Sequence, residues 1–374
     1  MFKFKTASAP REIAALIEMA IGKEEASRFW ETFRDRYVAK EDIDFIAKAG
    51  FNTVRVPLHF NLFMREEAPF NAVGEGKIVF DGPGWALLDR VIGWSRDAGL
   101  KVIIDLHAAP GGQTGVNHDD GTGFPLVFYV NRERMRTIAL WREIARRYRD
   151  DPAILGYELL NEPISTYNDE DLLNPRLEPF YQEVVAAIRA VDPHHIIILA
   201  GAQWDQNFRV FGPPFASNLA YVYHKFWSAT GRDAVHDYIA FSLRNRAPVL
   251  LGESGEATNR WNRDFRLLNE RHGFGWLFWT YKNLDTPSTV ASARMPAGWE
   301  KIAALGSMKD PSLERAGLDR AEARRILDDY LEAIRFRNIR INPCYLRSLG
   351  LAEALEKECQ AEERAATGAS AATQ

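Results

Sequence analysis

Two glutamates stand at the ends of apolar runs: Glu162 in "GYELLNEP" (156–163) and Glu253 in "PVLLGES" (248–254). Burying a carboxylate is costly, so acids at such positions need a reason. A pair facing one cleft suits hydrolysis of a glycosidic bond. One carboxylic acid protonates the leaving oxygen; the other carboxylate attacks the anomeric carbon or activates water. Taken singly, each glutamate reads as well as a salt-bridged rim residue. Their company favours chemistry, since Arg55, His107, Asn161, His224 and Trp279 also lie at the ends of apolar runs. Pro163 ends the first run and fixes the turn. Strict alternation cannot aim both Asn161 and Glu162 inward, so the chain must bend there. Glu158 would lie deeper and reads as structural, a buried acid needing a cation, with Arg55 the candidate.

The elements that would hold these residues are seven β-rich runs, at 52–57, 101–106, 154–160, 195–200, 220–226, 248–253 and 275–281. They are almost continuously apolar, as strands covered on both faces must be. Amphipathic stretches lie between most of them, for example at 84–97, 134–148, 260–272 and 320–335. Strand–helix alternation of this kind implies an α/β fold with a parallel sheet. A doubly wound sheet and a (β/α)8 TIM barrel both fit, but no GxGxxG or P-loop pattern follows an early run. In a barrel the polar run ends share one face and build one site. A barrel needs eight strands. The remaining candidate is "MFKFKT" at the start, so the first strand is missing or atypical.

The 374 residues divide into a single (β/α)8-type domain over 1–348 and a charged, helical, then disordered tail over 349–374. A net charge of −4 gives no electrostatic case for nucleic acid or an anionic membrane, and no apolar run is long enough to span a bilayer. Cys344 and Cys359 make no framework and no metal cluster, and they read as free thiols. The opening residues lack a signal-peptide pattern, which with the thiols favours a cytoplasmic protein; residues missing upstream would reopen secretion. No HxH or HExxH pattern calls for a metal, and no cofactor is implied. Oligomeric state is unread.

"GFNTVRVPLHF", "VIIDLHAAPGGQTG", "LLNEP", "YHKFW", "LLGESGE" and "GWLFWTYK" occur in this order. Together they resemble glycoside hydrolase family 5, cellulase family A, over about residues 20–345. "IGKEEASRFWETF", "DLHAAPGGQTG" and "FWTYK" are similar to its exo-β-1,3-glucanase and β-glucosidase branch. The resemblance implies that Glu162 is the general acid/base and Glu253 the nucleophile. It implies that Asn161 bonds the sugar 2-hydroxyl, that Arg55 keeps the nucleophile anionic, and that His107, His224 and Trp279 line the cleavage subsite. Long segments after the second and fourth runs, and the residue that follows the fifth, add Gln113, His118, Asp119, Trp204 and Trp227 as residues that could grip sugar. Glu256 reads as a loop residue beyond the nucleophile. Two departures stand out. Phe226 occupies the place of a family tyrosine that contacts the nucleophile, with Tyr223 expected to face away, and the family's first strand is absent. The implied function is a retaining, exo-acting β-glucosidic hydrolase. The alternatives are an endo-β-glucanase of the same family, a non-catalytic sugar-binding barrel, and a chelator-sensitive metal hydrolase.

Overall fold

The computed structural model describes residues 2–68, 76–351 and 355–361. Seven strands form one all-parallel sheet in chain order: β1 Thr53–His59, β2 Lys101–Ala108, β3 Ile154–Glu158, β4 Ile196–Ala200, β5 Leu219–His224, β6 Val249–Glu253 and β7 Gly275–Trp276. Each coincides with one of the seven apolar runs. Helices at Gly84–Asp97, Asn131–Tyr148, Glu170–Arg189, His236–Asn245 and Asn259–Arg271 alternate with the strands. The architecture is that of a (β/α)8-type barrel, with β1 and β7 unpaired to each other among the described residues. The seventh run pairs more briefly than its sequence suggests because β7 is a sheet edge. Beyond Trp276 it keeps contact through Leu277 N–H to Leu251 O (2.8 Å) and Trp279 N–H to Ser254 O (2.7 Å).

Alternation sorts the strand side chains into two layers. Ile103, Ile198, Ala200, Ala220 and Val222 fill the barrel interior. Ile104, Leu106, Tyr157, Ile197, Leu199, Tyr221, Tyr223 and Leu251 face the helices. Two of these helices start at a side-chain cap. Asp169 accepts from Leu172 N–H (3.1 Å) and Thr258 from Trp261 N–H (3.2 Å), each satisfying a donor the helix leaves unpaired.

The opening residues do not supply the eighth strand. Residues 2–6 adopt no strand, and Phe2 is buried against Trp30, Phe33, Trp299 and Tyr330. Its aromatic side chain finds more surface to bury among helices Pro10–Ile21, Lys23–Tyr37, Trp299–Leu305 and Arg320–Ala333, which form a second core. The cysteines also depart from expectation: Cys344 and Cys359 are disulfide-bonded. The thiol argument for a reducing compartment therefore falls away. The bond ties a short helical stretch, 356–361, to helix Pro343–Ser348. The expected disordered end, 367–374, lies outside the described residues.

Candidate active site

Arg55, on β1, organises the floor of the site. Its Nε donates to Glu158 Oε2 (2.8 Å) and its Nη2 to Glu158 Oε1 (2.6 Å) and Asn161 Oδ1 (2.8 Å). Nη1 donates to Glu253 Oε1 (2.5 Å), and Nη2 lies 3.1 Å from Asp105 Oδ2. Sheet register makes this meeting possible, since Asp105 on β2 is the neighbour of Glu158 on β3. Burial alone would weaken the guanidinium's hold on its proton, but the charges of Asp105, Glu158 and Glu253 outweigh it and raise the pKa well above the ordinary value. Glu158 therefore has the cation its burial demands. Burial also pushes the Asp105 carboxyl up to about 7, Arg55 opposing and Glu162 assisting. Asp105 Oδ2 sits 2.9 Å from His107 Nδ1. The His107 ring, its pKa lowered by burial, lies parallel to Trp279 at 5.7 Å.

The expected bend is at Glu162 itself, with φ of +47°. A side chain in that left-handed region costs about 1–2 kcal/mol, a strain that collects at functional sites. It lets Asn161 reach Arg55 while Glu162 turns to His224, Oε1 lying 3.0 Å from Nδ1. Glu162 Oε2 is 3.6 Å from His118 Nε2. A bulge between Tyr223 and His224 sets His224 directly beside Glu253 on β6. Gly252 clears space for the imidazole, because a Cβ there would stand 2.9 Å from His224 Nε2 and 2.2 Å from Val222. Burial lowers the His224 pKa to about 4, so the ring is uncharged near neutral pH. Oxygens of Glu162 and Glu253 and a nitrogen of His224 all lie within 4.8 Å of one another.

That triad, and Glu158 with Asp205 and His224, have the ligand types and spacing to hold a metal ion. Arg55 already places a cation on Glu158 and Glu253, so the positive charge a metal would bring is supplied by the chain.

The remaining expected residues divide. Trp204 is half-buried, its Nε1–H donating to Thr166 Oγ1 (3.3 Å), its ring tilted against His118 (5.4 Å) and edge-on to Tyr167 (6.1 Å). Trp227 is 70% exposed, its Nε1–H donating to Glu256 O (3.1 Å) in the loop where Glu256 was expected. Gln113 does not present its amide to a ligand: it is fully buried, accepting from Ala109 N–H (3.0 Å) and donating to His107 O and Asn161 O (both 2.8 Å). It ties the His107 and Asn161 loops together instead. Asp119 likewise is spent inside its loop on Thr114, Gly115 and Gly121. Phe226 stands against Trp227 at 5.5 Å. Tyr223 faces away as expected, donating to Asn269 and stacked on Tyr238 at 3.9 Å. Asp105, Asp205 and Tyr167 were not foreseen. Asp105 shares a strand face with His107, two residues on, and could have been found by that parity. Asp205 and Tyr167 sit in aperiodic loops that give no such signal.

The fold and this arrangement are those of a glycoside hydrolase barrel. Residues 19–285 match the cellulase (glycosyl hydrolase family 5) model, and the chain belongs to that family. Among curated relatives, a β-xylosidase of Phanerodontia chrysosporium is 32% identical over 62% of this chain and 44% of its own. A probable glucan 1,3-β-glucosidase A of Aspergillus fumigatus is 30% identical over 46% and 38%. A probable glucan endo-1,6-β-glucosidase B of Aspergillus flavus is 27% identical over 71% and 74%. The chain thus spans less than half the length of the first two. Among solved structures, a hyperthermophilic endo-β-1,4-glucanase superposes with a TM-score of 0.52 at 18% identity, over 65% of this chain and 82% of that one. Thermotoga maritima Cel5A with cellobiose gives 0.51 at 21%, over 65% and 83%. At these identities the structural likeness speaks for the fold.

Proposed function

We propose that this chain is a retaining β-glycosidase, exo-acting on β-glucosidic bonds. The observation that carries the reading is the approach of Glu162 and Glu253, with carboxylate oxygens within 4.8 Å. Inverting pairs stand roughly 6.5–9.5 Å apart to admit a water, whereas retaining pairs stand about 5–5.5 Å apart. In this mechanism Glu253, held by Arg55, attacks the anomeric carbon. Glu162 gives its proton to the leaving oxygen, then takes one from the water that releases the sugar. Asn161 meets the 2-hydroxyl, and Trp279 with His107 forms the floor under the ring. Trp204 and Trp227 remain available for sugar contact on either side; the buried amide of Gln113 is left to positioning.

A screen of aryl β-glycosides tests this. Turnover of the β-glucoside by the wild type, lost in Glu253→Gln, is the expected result; equal inactivity of both proteins across the panel would defeat it. Chelator should leave the rate unchanged, because Arg55 supplies the local positive charge. Endo action is a second reading, favoured by the longer match to the endo-1,6 relative. Products larger than a monosaccharide from a β-glucan would select it.

A further inference from the structure

Asp205 is fully buried, and neither the family roles nor the sequence reading gives it work. It ends a turn in which Gln203, Trp204 and Asp205 all have positive φ, +48°, +62° and +63°. Three consecutive non-glycine residues in that region are held only where the surroundings compel it. Here the turn is closed by Ala202 and Asn207, which exchange backbone bonds of 3.1 and 2.8 Å. Gln203 locks it further, donating to Asn174 Oδ1 (2.8 Å) and accepting from Asn207 Nδ2 (2.7 Å). The outcome is one contact: Asp205 Oδ2 lies 3.1 Å from His224 Nε2, while His224 Nδ1 lies 3.0 Å from Glu162 Oε1. Both Asp205 oxygens and His224 Nε2 are buried with no hydrogen bond formed among the described residues, which leaves each free to complete this 3.1 Å contact.

The groups facing Asp205 are Glu158 at the end of β3 and Glu162 beyond it, His224 on β5, Glu253 on β6, Arg55 on β1, and Tyr181 and Tyr238 from two flanking helices. Tyr181 spends its hydroxyl on Ala200 O (2.9 Å) and Tyr238 on Gln206 O (3.1 Å). Five carboxyls with Asp105 therefore share one guanidinium, which touches Asp105, Glu158 and Glu253 but not Asp205. An ionised Asp205 would be an uncompensated buried charge. Burial indeed pushes it well above the ordinary carboxyl range, with Glu162 and Glu158 adding to the effect.

We propose that Asp205 is a positioning residue for the general acid: as a neutral carboxylic acid it donates to His224 Nε2, places the imidazole proton on Nδ1, and makes His224 a hydrogen-bond donor to Glu162. The inference rests on the glycosidase reading of Glu162. When Glu162 passes its proton to the leaving oxygen, the new carboxylate meets a donor already in place. No proton leaves Asp205 or His224 in the step. An imidazole with its proton on Nε2 would turn a lone pair toward that carboxylate and oppose the transfer.

Two variants and one spectrum test this. Asp205→Leu removes the donor, and Asp205→Asn keeps one in its amide. General acid catalysis contributes about 10²–10⁴-fold, so Asp205→Leu should lower kcat/KM on an alkyl β-glucoside by on the order of tenfold more than on a 2,4-dinitrophenyl β-glucoside, whose leaving group needs no proton. Asp205→Asn should recover most of that difference. An Asn variant as impaired as the Leu variant, or equal losses on both substrates, overturns the proposal. Imidazole ¹⁵N spectra of the wild type should show His224 protonated at Nδ1; protonation at Nε2 overturns it without any turnover being needed. A wild type inactive on both glucosides but with His224 protonated at Nδ1 would defeat the glycosidase reading and leave the Asp205–His224 contact supported.

Discussion

The two glutamates of "GYELLNEP" illustrate how position along a strand divides roles between like residues. Glu158 is fully buried on β3 and accepts from Nε and Nη2 of Arg55, whereas Glu162 turns out of the strand with its side chain 18% exposed. Glu158→Gln strips one partner from a buried pair, for which about 3–5 kcal/mol is the usual scale. Denaturant unfolding should show a loss of that order, larger than for Glu162→Gln. A Glu158→Gln protein as stable as wild type but inactive would reverse the assignment of the pair. Asp105 and His224 give opposite pH signatures. The Asp105 carboxyl is held at about 7 against an unfolded value near 3.9, so its contribution is full below about pH 4 and is lost as pH rises through about 7. His224, lowered to about 4 from near 6.5, contributes above about pH 6.5 and loses this as pH falls through about 4. Removing the first term by Asp105→Asn should make Tm, relative to wild type, climb steadily between pH 4 and 7. Parallel Tm curves for the two proteins would show that Asp105 does not titrate there.

At the scale of elements, strands were legible because parallel strands buried on both faces must be apolar throughout, and every β-rich run found its place in the sheet. The polar residues at their ends were legible for the same reason, since they interrupt the apolar pattern. What was illegible depends on loops. Gln113 resembles a sugar ligand in type, but the turn around it consumes its amide on two carbonyls. Asp205 is delivered by a strained turn that no periodicity announces. The disulfide joins cysteines 15 residues apart with no pattern around them. Closing a loop of that length constrains the unfolded chain by roughly 3 kcal/mol in the chain-entropy model. Reduction should therefore lower Tm while leaving kcat in place; a Tm unmoved by reductant would mean the bridge carries no stability. Gly252 belongs to this scale too. Gly252→Ala should displace His224 and cut kcat, because the added methyl collides with Val222 and with the imidazole.

Across the whole molecule, side-chain contacts tie the β7 end of the sheet to the segment that leads into β1. Phe51 meets Trp276 edge-on at 6.5 Å, Tyr281 donates to Asp42 (2.7 Å), and the fully buried Lys282 pairs with Asp42 at 2.8 Å. These contacts join the last barrel segment to helix Lys40–Lys48 and to the second helical core. These contacts were not legible in the sequence, because they link residues more than two hundred positions apart. The site the barrel encloses is built around one arginine and two close carboxylates, and their separation is its most consequential dimension. The anomeric form of the first sugar released from an aryl β-glucoside, followed by ¹H NMR before mutarotation, tests that dimension most directly. Double displacement across a pair this close should release the β-anomer first. Initial release of the α-anomer would mean single displacement by water, and would contradict Glu253 as nucleophile.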